Sequence, residues 1–405
     1  MNKYPLIGVS IVAMVLLVLG SLTNVVGYQT VQSSNQYRYV LIAEGGGHHV
    51  IMVNNAGIII REIIGLNNPT DAKLLLNGDI LISEMDGGRV VEFNYEGAVV
   101  WQQTGLVNPV DSERLTNGNT LITVNPDPEP GRVFEVDSAG SLVWEKSGLL
   151  DPVDAERLSN GNTLIAEVGA NRVIEVDVSG TIVWQKTGLQ FPASVERLTN
   201  GNTLITELLA GRVIEVNPAG TIVWQKTGYE EPIDAHRLPN GDTLISDFLH
   251  GVFEVNSAGT TVWQMTDLLG PYSAYGFFSS PPNPPTIDGP ANGKIKEPIP
   301  YVFVATDPEN DNIFYYVDWG DNTNSGWIGS HLSNEQITLT HTWTTKGTYV
   351  IKAKAKDIFG AESDWTTLSI TMPQNNEVFN THLLLSWLFE RFPHAFPFLR
   401  YFLDK

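Results

Sequence analysis

Carboxylate residues recur at matching positions of this chain, in two series that precede and follow a repeated Asn-Gly pair. Carboxylate oxygens are the ligands that hard cations such as Ca²⁺ prefer. One interpretation is therefore a ring of acids that binds a cation. The alternative is that they pair with arginines at fixed offsets, which would satisfy charges near a core. The first series is Asp71, Asp111, Asp154 and Asp234, and the second is Glu44, Glu84, Glu167, Glu207 and Asp247.

The histidines lie mainly where this pattern breaks. Imidazole is a nucleophile and general base near neutral pH, and it also binds Zn²⁺ and Cu²⁺. His236 follows Asp234 by two residues, so both would face the same way on a strand. His48 and His49 follow three glycines, and His250 lies in a later loop. These three are expected either to form a divalent-metal site or to remain unligated on mobile loops.

The elements that position these residues come from a repeat of roughly 40 residues, a length typical of β-propeller blades. Each unit holds an Asn-Gly pair, which between alternating apolar residues predicts a type I′ hairpin turn. An apolar hairpin ending near a tryptophan follows. In the unit around Asn160 we predict four strands, 154–158, 163–167, 172–177 and 181–186. The repeated pairs begin at Asn77, Asn117, Asn160, Asn200 and Asn240, and the tryptophans are Trp101, Trp144, Trp184, Trp224 and Trp263.

Two incomplete units decide the number of blades. Residues 39–61 match the last three strands of a unit, and Pro271-Tyr-Ser-Ala274 matches only a first strand. Together they complete one blade, which predicts a closed six-bladed ring over residues 28–278 without an open sheet edge. First strands line the channel of a propeller. We therefore expect both acid series at the channel mouth, with Ser194 and Ser273 replacing the aspartate in two blades.

Composition excludes several functions. The chain of 405 residues has no cysteine and a formal net charge of −21, which argues against disulfides, thiolate metal sites and a nucleic-acid partner. Residues 1–27 carry Lys3 and then an apolar run, the pattern of a secretory signal or a retained anchor. Either predicts an exported, extracellular or cell-surface protein.

A second all-β domain follows the proline-rich linker 279–285. Residues 286–373 alternate apolar and polar residues at the spacing of a β-sandwich. Its segments Asp318-Trp-Gly-Asp321, His341-Thr-Trp343, Gly347-Thr-Tyr349 and Asp357-Ile-Phe-Gly360 resemble the signature of PKD domains, immunoglobulin-like modules of surface proteins. The resemblance implies a spacer or adhesive module with Trp319 and Trp343 in its core. The oxygen-rich turn with Asp307, Glu309 and Asp311 is expected to be an ordinary polar turn or a Ca²⁺ site.

The tail, residues 374–405, contains two apolar clusters interrupted by Pro393 and Pro397. This pattern predicts two short amphipathic helices. It resembles the Phe-Pro-rich C-termini of exported archaeal proteins with PKD domains. We expect contact with the sandwich or a partner, or a sorting or membrane-interface role.

The repeat Asp-Ala-x-Arg-Leu-x-Asn-Gly-Asn-Thr-Leu-Ile resembles that of arylsulfotransferase-type six-bladed propellers. In that family a channel histidine accepts the sulfuryl group. The resemblance implies His236 as nucleophile, with Arg237 and Arg197 as anion clamps. This chain departs from the family at the residue before each aspartate, which is Thr70, Val110, Val153 or Ile233 instead of histidine.

The first functional hypothesis is therefore a non-catalytic binding or adhesion protein. Its propeller mouth would recognise a surface glycan, a protein or a small molecule, and the sandwich would act as a spacer. It needs no cofactor, and Ca²⁺ is the ion its acids could hold. The alternatives are sulfuryl transfer between phenols and a structural surface-layer component. Contact with the membrane or envelope would involve the N-terminal segment or the tail.

Overall fold

The computed structural model describes residues 37–126 and 128–373, and these residues are all-β. They form antiparallel sheets, six of which build a propeller and two a sandwich. The described part of the chain holds no helix long and apolar enough to cross a membrane. The predicted signal or anchor at 1–27 and the predicted tail helices at 374–405 lie outside the described residues.

Each complete blade is a meander of four strands, the first of which faces the channel. Blade 2 consists of β4 (Pro69–Leu74), β5 (Ile80–Glu84), β6 (Arg89–Phe93) and β7 (Val99–Thr104). Blade 3 consists of β8 (Pro109–Arg114), β9 (Thr120–Val124), β10 (Gly131–Val136) and β11 (Leu142–Leu149). Blade 4 consists of β12 (Pro152–Arg157), β13 (Thr163–Glu167), β14 (Arg172–Val176) and β15 (Ile182–Thr187).

Blades 5 and 6 repeat this pattern, and the first strands of neighbouring blades contact one another around the ring. Blade 5 consists of β16 (Pro192–Arg197), β17 (Thr203–Glu207), β18 (Arg212–Val216) and β19 (Ile222–Thr227). Blade 6 consists of β20 (Pro232–Arg237), β21 (Thr243–Asp247), β22 (Gly251–Val255) and β23 (Thr261–Met265).

Blade 1 closes the ring from both ends of the propeller sequence. Its strands are β1 (Tyr37–Glu44), β2 (His49–Asn54), β3 (Ile59–Ile64) and β24 (Pro271–Ser279), with β24 paired to β1. Because the first and last strands share one sheet, opening the ring would break the hydrogen bonds between β1 and β24. The six-bladed ring predicted from the sequence is confirmed.

The Asn-Gly hairpins differ in one detail from the prediction. A type I′ turn needs positive φ at both central residues. Here Gly161 has φ +86°, whereas Asn160 is not among the residues with positive φ. Gly161 N donates to Leu158 O, and Leu158 N donates to Asn162 O. This is a type I turn followed by a left-handed glycine, the three-residue alternative.

Ion pairs and aromatic rings join neighbouring blades. The arginine ending a first strand stacks on the tryptophan of the preceding blade and binds a glutamate of that blade's third strand. Arg237, for example, lies 5.2 Å from the Trp224 ring centroid and donates to Glu215 Oε2 at 2.8 Å. The same arrangement holds for Arg114 with Trp101 and Glu92, Arg157 with Trp144 and Glu135, and Arg197 with Trp184 and Glu175.

The second domain is a sandwich of two sheets. One contains β25 (Thr286–Asp288), β26 (Ile299–Val304) and β29 (Ile337–His341), and the other contains β27 (Ile313–Asp318), β28 (Asn324–His331), β30 (Gly347–Asp357) and β31 (Thr366–Met372). Alternate residues of these strands fill the space between the sheets. Trp319 and Trp343 lie in this core, as expected, and Trp343 Nε1 donates to Trp319 O at 3.3 Å.

The two domains contact each other through the turn that follows β30. Ile358 and Phe359 pack into the apolar cluster of blades 1 and 2. The Phe359 ring lies 5.4 Å from that of Tyr39 and 5.0 Å from that of Phe277. This contact lies at the end of the blades that carries the Asn-Gly turns, since a Cβ at Gly78 would meet Ile358.

Candidate functional site

A cavity of about 420 Å³ occupies the centre of the propeller ring. Every blade contributes its first strand to the wall. Met85, Asn125, Leu208 and Tyr272 line it at the end of the blades away from the Asn-Gly turns. Concave sites with converging polar groups are where ligands usually bind.

A belt of side-chain to backbone hydrogen bonds runs around this cavity. In each blade the side chain of an aspartate or serine in the first strand accepts a hydrogen bond from a backbone N–H of the next blade. The donor is the residue that directly follows the equivalent aspartate or serine in that next blade. The bonds are Ser112 N to Asp71, Ala155 N to Asp111, Val195 N to Asp154, Ala235 N to Ser194, Ala274 N to Asp234, and Ala72 N to Ser273, at 2.6–3.3 Å. The first acid series therefore lines the cavity as predicted, but its hydrogen bonds hold the ring together.

Two residues further along each first strand, a second set of side chains faces the cavity. Alternate residues of a strand share a face, so these positions follow from the belt. This inner set is Lys73, Glu113, Glu156, Glu196, His236 and Tyr275. Three glutamates in adjacent blades therefore form an acidic arc. Glu113, Glu156 and Glu196 also accept the N–H of Arg157, Arg197 and Arg237 at 2.6–2.8 Å.

Lys73 is held by the belt acids. Its Nζ donates to Asp111 Oδ1 at 2.6 Å and lies 3.4 Å from Asp71 Oδ2. These carboxylates raise the pKa of Lys73 against the opposing effect of burial, so the amine stays charged. Burial raises the pKa of Asp71 to about 7, although Lys73 opposes that shift. The positive charge of Lys73 is therefore already paired with the carboxylates of Asp111 and Asp71.

The acidic arc is held in an environment that disfavours its charged form. Burial raises the pKa of Glu156 to about 7 and that of Glu196 to about 8, and it also raises the pKa of Glu113. Repulsion from neighbouring carboxylates adds to the shifts of Glu156 and Glu196. His236 shows the opposite behaviour, since burial lowers its pKa to about 4. At neutral pH its imidazole is uncharged.

The carboxylates of the second series are placed differently from the prediction. They do not line the cavity. Glu84, Glu167 and Glu207 each bind an arginine of the adjacent strand at 2.6 Å, namely Arg89, Arg172 and Arg212. Glu44, Glu84, Glu167, Glu207 and Asp247 also accept a backbone N–H from the loop that enters their blade. The hydrogen bonds and ion pairs of these carboxylates are thus made within their own blades. For Glu84, Glu167 and Glu207 this agrees with the alternative interpretation, in which the acids pair with arginines.

The other interpretation, a ring of acids around one cation, finds no support in the described residues. Among the described residues, only Asp307, Asp311 and Asp357 bring three possible ligand atoms within 4.8 Å of one another. The cavity carboxylates lie on the first strands of four different blades, namely Asp71, Asp111, Asp154 and Asp234. They are directed to backbone N–H groups and do not converge on one ion.

The structure places His236 in the cavity but not the arginines that the resemblance would make its partners. His236 Nδ1 lies 3.5 Å from Glu196 Oε2, and its ring lies 4.9 Å from that of Tyr275. Arg197 and Arg237 point between the blades, where they bind Glu175 and Glu215. Arg197 directly follows Glu196, and Arg237 directly follows His236. Adjacent residues of a strand face opposite sides of the sheet. Arg197 and Arg237 therefore cannot clamp an anion beside His236.

The three loop histidines do not form a metal site. His49 Nδ1 lies 2.7 Å from Glu62 Oε1, and His250 Nδ1 lies 3.2 Å from Asp247 Oδ1. Asn68 N donates to His48 Nδ1 at 3.5 Å. Each imidazole thus interacts with a neighbour near its own strand or loop. No group of ligand atoms within the described residues joins them.

The predicted Ca²⁺ turn of the second domain is corrected in one residue. Asp307 and Asp311 come together as expected, but the third carboxylate is Asp357. Glu309 instead binds the linker, since its two carboxylate oxygens accept from Ser280 N at 3.1 Å and Ser280 Oγ at 2.9 Å. Asp357 ends β30 and is some fifty residues away in sequence, so local spacing could not reveal it.

Sequence reasoning missed most of the inner set of the cavity, namely Lys73, Glu113, Glu156, Glu196 and Tyr275. The sequence does contain a signal for these residues. Each follows a belt residue by two positions, and Lys73, His236 and Tyr275 stand where other blades have glutamate. These residues occupy the variable position two residues after one that is aspartate in four blades and serine in two.

No family model matches the chain, and neither does any curated protein. Among solved structures, the PKD domain of an M14-like peptidase from a Thermoplasmatales archaeon is 52% identical, with a TM-score of 0.24, over 24% of this chain and 99% of that domain. A protein of unknown function from Bacteroides caccae has a TM-score of 0.53 at 18% identity, over 59% of this chain and 98% of that one. This second likeness shows the fold alone.

Virginiamycin B lyase from Staphylococcus aureus also matches, with a TM-score of 0.39 at 12% identity, over 72% of this chain and 92% of that one. This likeness is too distant to support an argument about chemistry. The comparisons therefore support the fold and leave the function to the geometry of the cavity.

Proposed function

We propose that the protein is a non-catalytic binding protein whose propeller cavity takes a small ligand bearing one or more ammonium groups. The observation that carries the proposal is the acidic arc of Glu113, Glu156 and Glu196, whose carboxyls are partly buried and have raised pKa values. A cationic ligand beside them would favour their charged forms and gain strong, charge-assisted hydrogen bonds.

Among the described residues, no lysine or arginine forms an ion pair with the glutamates of this arc. Lys73 and Arg114 line the cavity, but Lys73 binds Asp111 and Arg114 binds Glu92. Burial and like-charge repulsion leave the arc glutamates in need of a positive partner. The volume of about 420 Å³ suits an organic ligand.

A metal ion fits the arc less well than an organic cation. The arc carboxylates are not gathered within the distance that one ion would span. An extended amine can instead place its nitrogen atoms beside glutamates of different blades. Tyr272, Tyr275 and Phe191 also line the cavity and offer ring faces to a cation or to its apolar chain.

The wider context of this function follows from the sequence. Export to the cell surface is part of the proposal, as is a spacer or adhesive role for the second domain. Contact with a surface partner, the membrane or the envelope belongs to the proposal as well. The domain contact at the Asn-Gly end of the blades supports this arrangement, because it leaves the Met85 and Leu208 end accessible to ligand.

Calorimetric titration of the full chain with spermidine tests the proposal, using a neutral oligosaccharide of similar size as the comparison. We expect the amine to bind with release of protons, because a cation lowers the raised pKa values of Glu156 and Glu196. The measured heat of binding should therefore vary with the ionisation enthalpy of the buffer. The Glu156→Gln/Glu196→Gln variant should bind at least about tenfold more weakly. Glu230→Gln, a change of an exposed acid, is the matched control.

Two results would overturn the proposal. One is absence of amine binding by the full chain, and the other is binding that the double arc variant leaves unchanged. Binding of the oligosaccharide alone would keep the cavity as a binding site but remove the ammonium ligand.

A further inference from the structure

Three carboxylates meet where the second domain touches the propeller. Possible ligand atoms of Asp307, Asp311 and Asp357 all lie within 4.8 Å of one another. Asp307 is 7% exposed and Asp357 is 1% exposed. Ca²⁺ binds oxygen ligands at about 2.3–2.6 Å, so two oxygens on one ion are separated by at most about 5 Å. The cluster therefore has the dimensions of a Ca²⁺ site.

An unpartnered buried oxygen points to a ligand in this cluster. Asp307 Oδ1 accepts from Glu309 N at 2.9 Å and from Asp311 N at 3.0 Å. Its other oxygen, Oδ2, is buried without a hydrogen-bond partner among the described residues. A buried carboxylate oxygen left in this state is costly. Coordination to a cation would satisfy it.

The electrostatics of the cluster agree with this assignment. Burial raises the pKa of Asp311 to about 7 and that of Asp357 to about 6, and it also raises the pKa of Asp307. Repulsion between these acids, and from Glu309, contributes to the shifts. A divalent cation would reverse both effects, because it favours the charged carboxylates.

The same residues hold the joint between the domains. Ser279, the last residue of β24, donates from Oγ to Asp357 Oδ2 at 2.8 Å. Asp357 Oδ1 accepts from Phe359 N and Ala361 N, which fixes the turn that inserts Phe359 against the propeller. The turn with Asp307 and Asp311 also presents Glu309 to Ser280.

We propose that Asp307, Asp311 and Asp357 bind a Ca²⁺ ion that clamps the second domain onto the strand that closes the propeller ring. The ion joins the two loops that grip Ser279 and Ser280. Water and backbone oxygens complete the six to eight ligands that Ca²⁺ takes. Loading the site would therefore stiffen both the linker and the Phe359 turn.

Thermal unfolding of the full chain with and without Ca²⁺ tests the site. At about 10 mM Ca²⁺, above the range typical of extracellular modules, we expect the Tm to rise by about 3 °C or more relative to chelator. Asp307→Asn and Asp311→Asn should each remove most of this rise. Asp288→Asn, an exposed acid of the same domain, should keep it, and so should the cavity variant Glu156→Gln.

Hydrogen exchange separates the clamp from a merely local site. Ca²⁺ should slow exchange at the amides of Ser280, Phe359 and Ala361 at least about threefold in the parent chain and not in Asp307→Asn. No Tm rise in the parent chain, or a rise that Asp307→Asn and Asp311→Asn retain, would overturn the site. A rise confined to the second domain, with unchanged exchange at Ser280 and Phe359, would overturn the clamp.

Discussion

His236 and Glu196 face each other across neighbouring blades, with His236 Nδ1 3.5 Å from Glu196 Oε2. Burial lowers the pKa of the imidazole to about 4 and raises that of the carboxyl to about 8. Between these values both side chains favour their neutral forms. Although the two groups lie within ion-pair distance, the pair is thus uncharged near pH 7.

The pH dependence of stability follows from Glu196. Its folded pKa of about 8 exceeds the ordinary value of 4.5, so its stabilising contribution is fully present below pH 4.5 and is lost as pH rises through 8. Glu196→Gln should therefore stabilise the protein above pH 8, by on the order of a few kcal/mol. Urea unfolding at pH 6 and pH 9 measures this difference. A variant that is no more stable than the parent at pH 9 would contradict the assignment.

The hydrogen-bond belt predicts a difference between two substitutions of Asp154. Asp154→Ala removes the acceptor of Val195 N, whereas Asp154→Ser supplies the hydroxyl that Ser194 and Ser273 use in their blades. Both variants remove the same charge. We expect the serine variant to unfold with a free energy about 1 kcal/mol higher than the alanine variant. Equal stabilities in urea would show that the belt contributes nothing at this position.

The stacked arginines predict a structural effect without an effect on ligand binding. Arg237 binds Glu215 and stacks on Trp224. Arg237→Ala should lower the free energy of unfolding by about 2–3 kcal/mol, because the buried Glu215 loses its cation. A double-mutant cycle with Glu215→Ala should give a coupling above about 0.5 kcal/mol. Additive effects would argue against the ion pair, and weakened amine binding would place Arg237 in the site.

Sulfuryl transfer is expected to be absent. Within the part of the chain that the structure describes, the cavity offers no free cation to a sulfate ester, because Lys73 binds Asp111 and Arg114 binds Glu92. Arg197 and Arg237 bind glutamates between the blades and do not line the cavity. An assay with 4-nitrophenyl sulfate and a phenol acceptor, using the parent chain and His236→Ala, measures this directly. Turnover that disappears in His236→Ala would make the protein an enzyme and overturn the non-catalytic proposal. Turnover unaffected by the substitution would place catalysis elsewhere in the protein.

The domain contact predicts that Phe359 couples the unfolding of both domains. Phe359→Ala removes a ring packed on Tyr39 and Phe277 and should cost about 3–5 kcal/mol of contact energy. We expect calorimetry to show two separated transitions in place of one. Leu332→Ala, which changes an exposed side chain of the second domain, should leave the thermogram unchanged. A single transition in Phe359→Ala would show that other contacts couple the domains.

The sequence by itself determined the ring. Asn-Gly turns, alternating apolar residues and a period set by four strands are local properties. The six blades, and the completion of blade 1 by the strand that follows blade 6 in the chain, could therefore be predicted without coordinates. The side of each first-strand residue also follows from the two-residue alternation of a strand. For that reason Asp154 and His236 were correctly placed at the channel.

Only the tertiary structure decided which charges are free for chemistry. Asp154 accepts a hydrogen bond from Val195, and Glu167 binds Arg172, so two acids that look alike in sequence are both already satisfied. The partly buried glutamates Glu113, Glu156 and Glu196 keep raised pKa values because the effect of burial outweighs that of the backbone N–H groups and nearby cations. Asp357, at the end of β30, approaches Asp307 only through the fold of the second domain. Partner identity and burial depend on long-range contacts, and a repeat pattern holds no information about either.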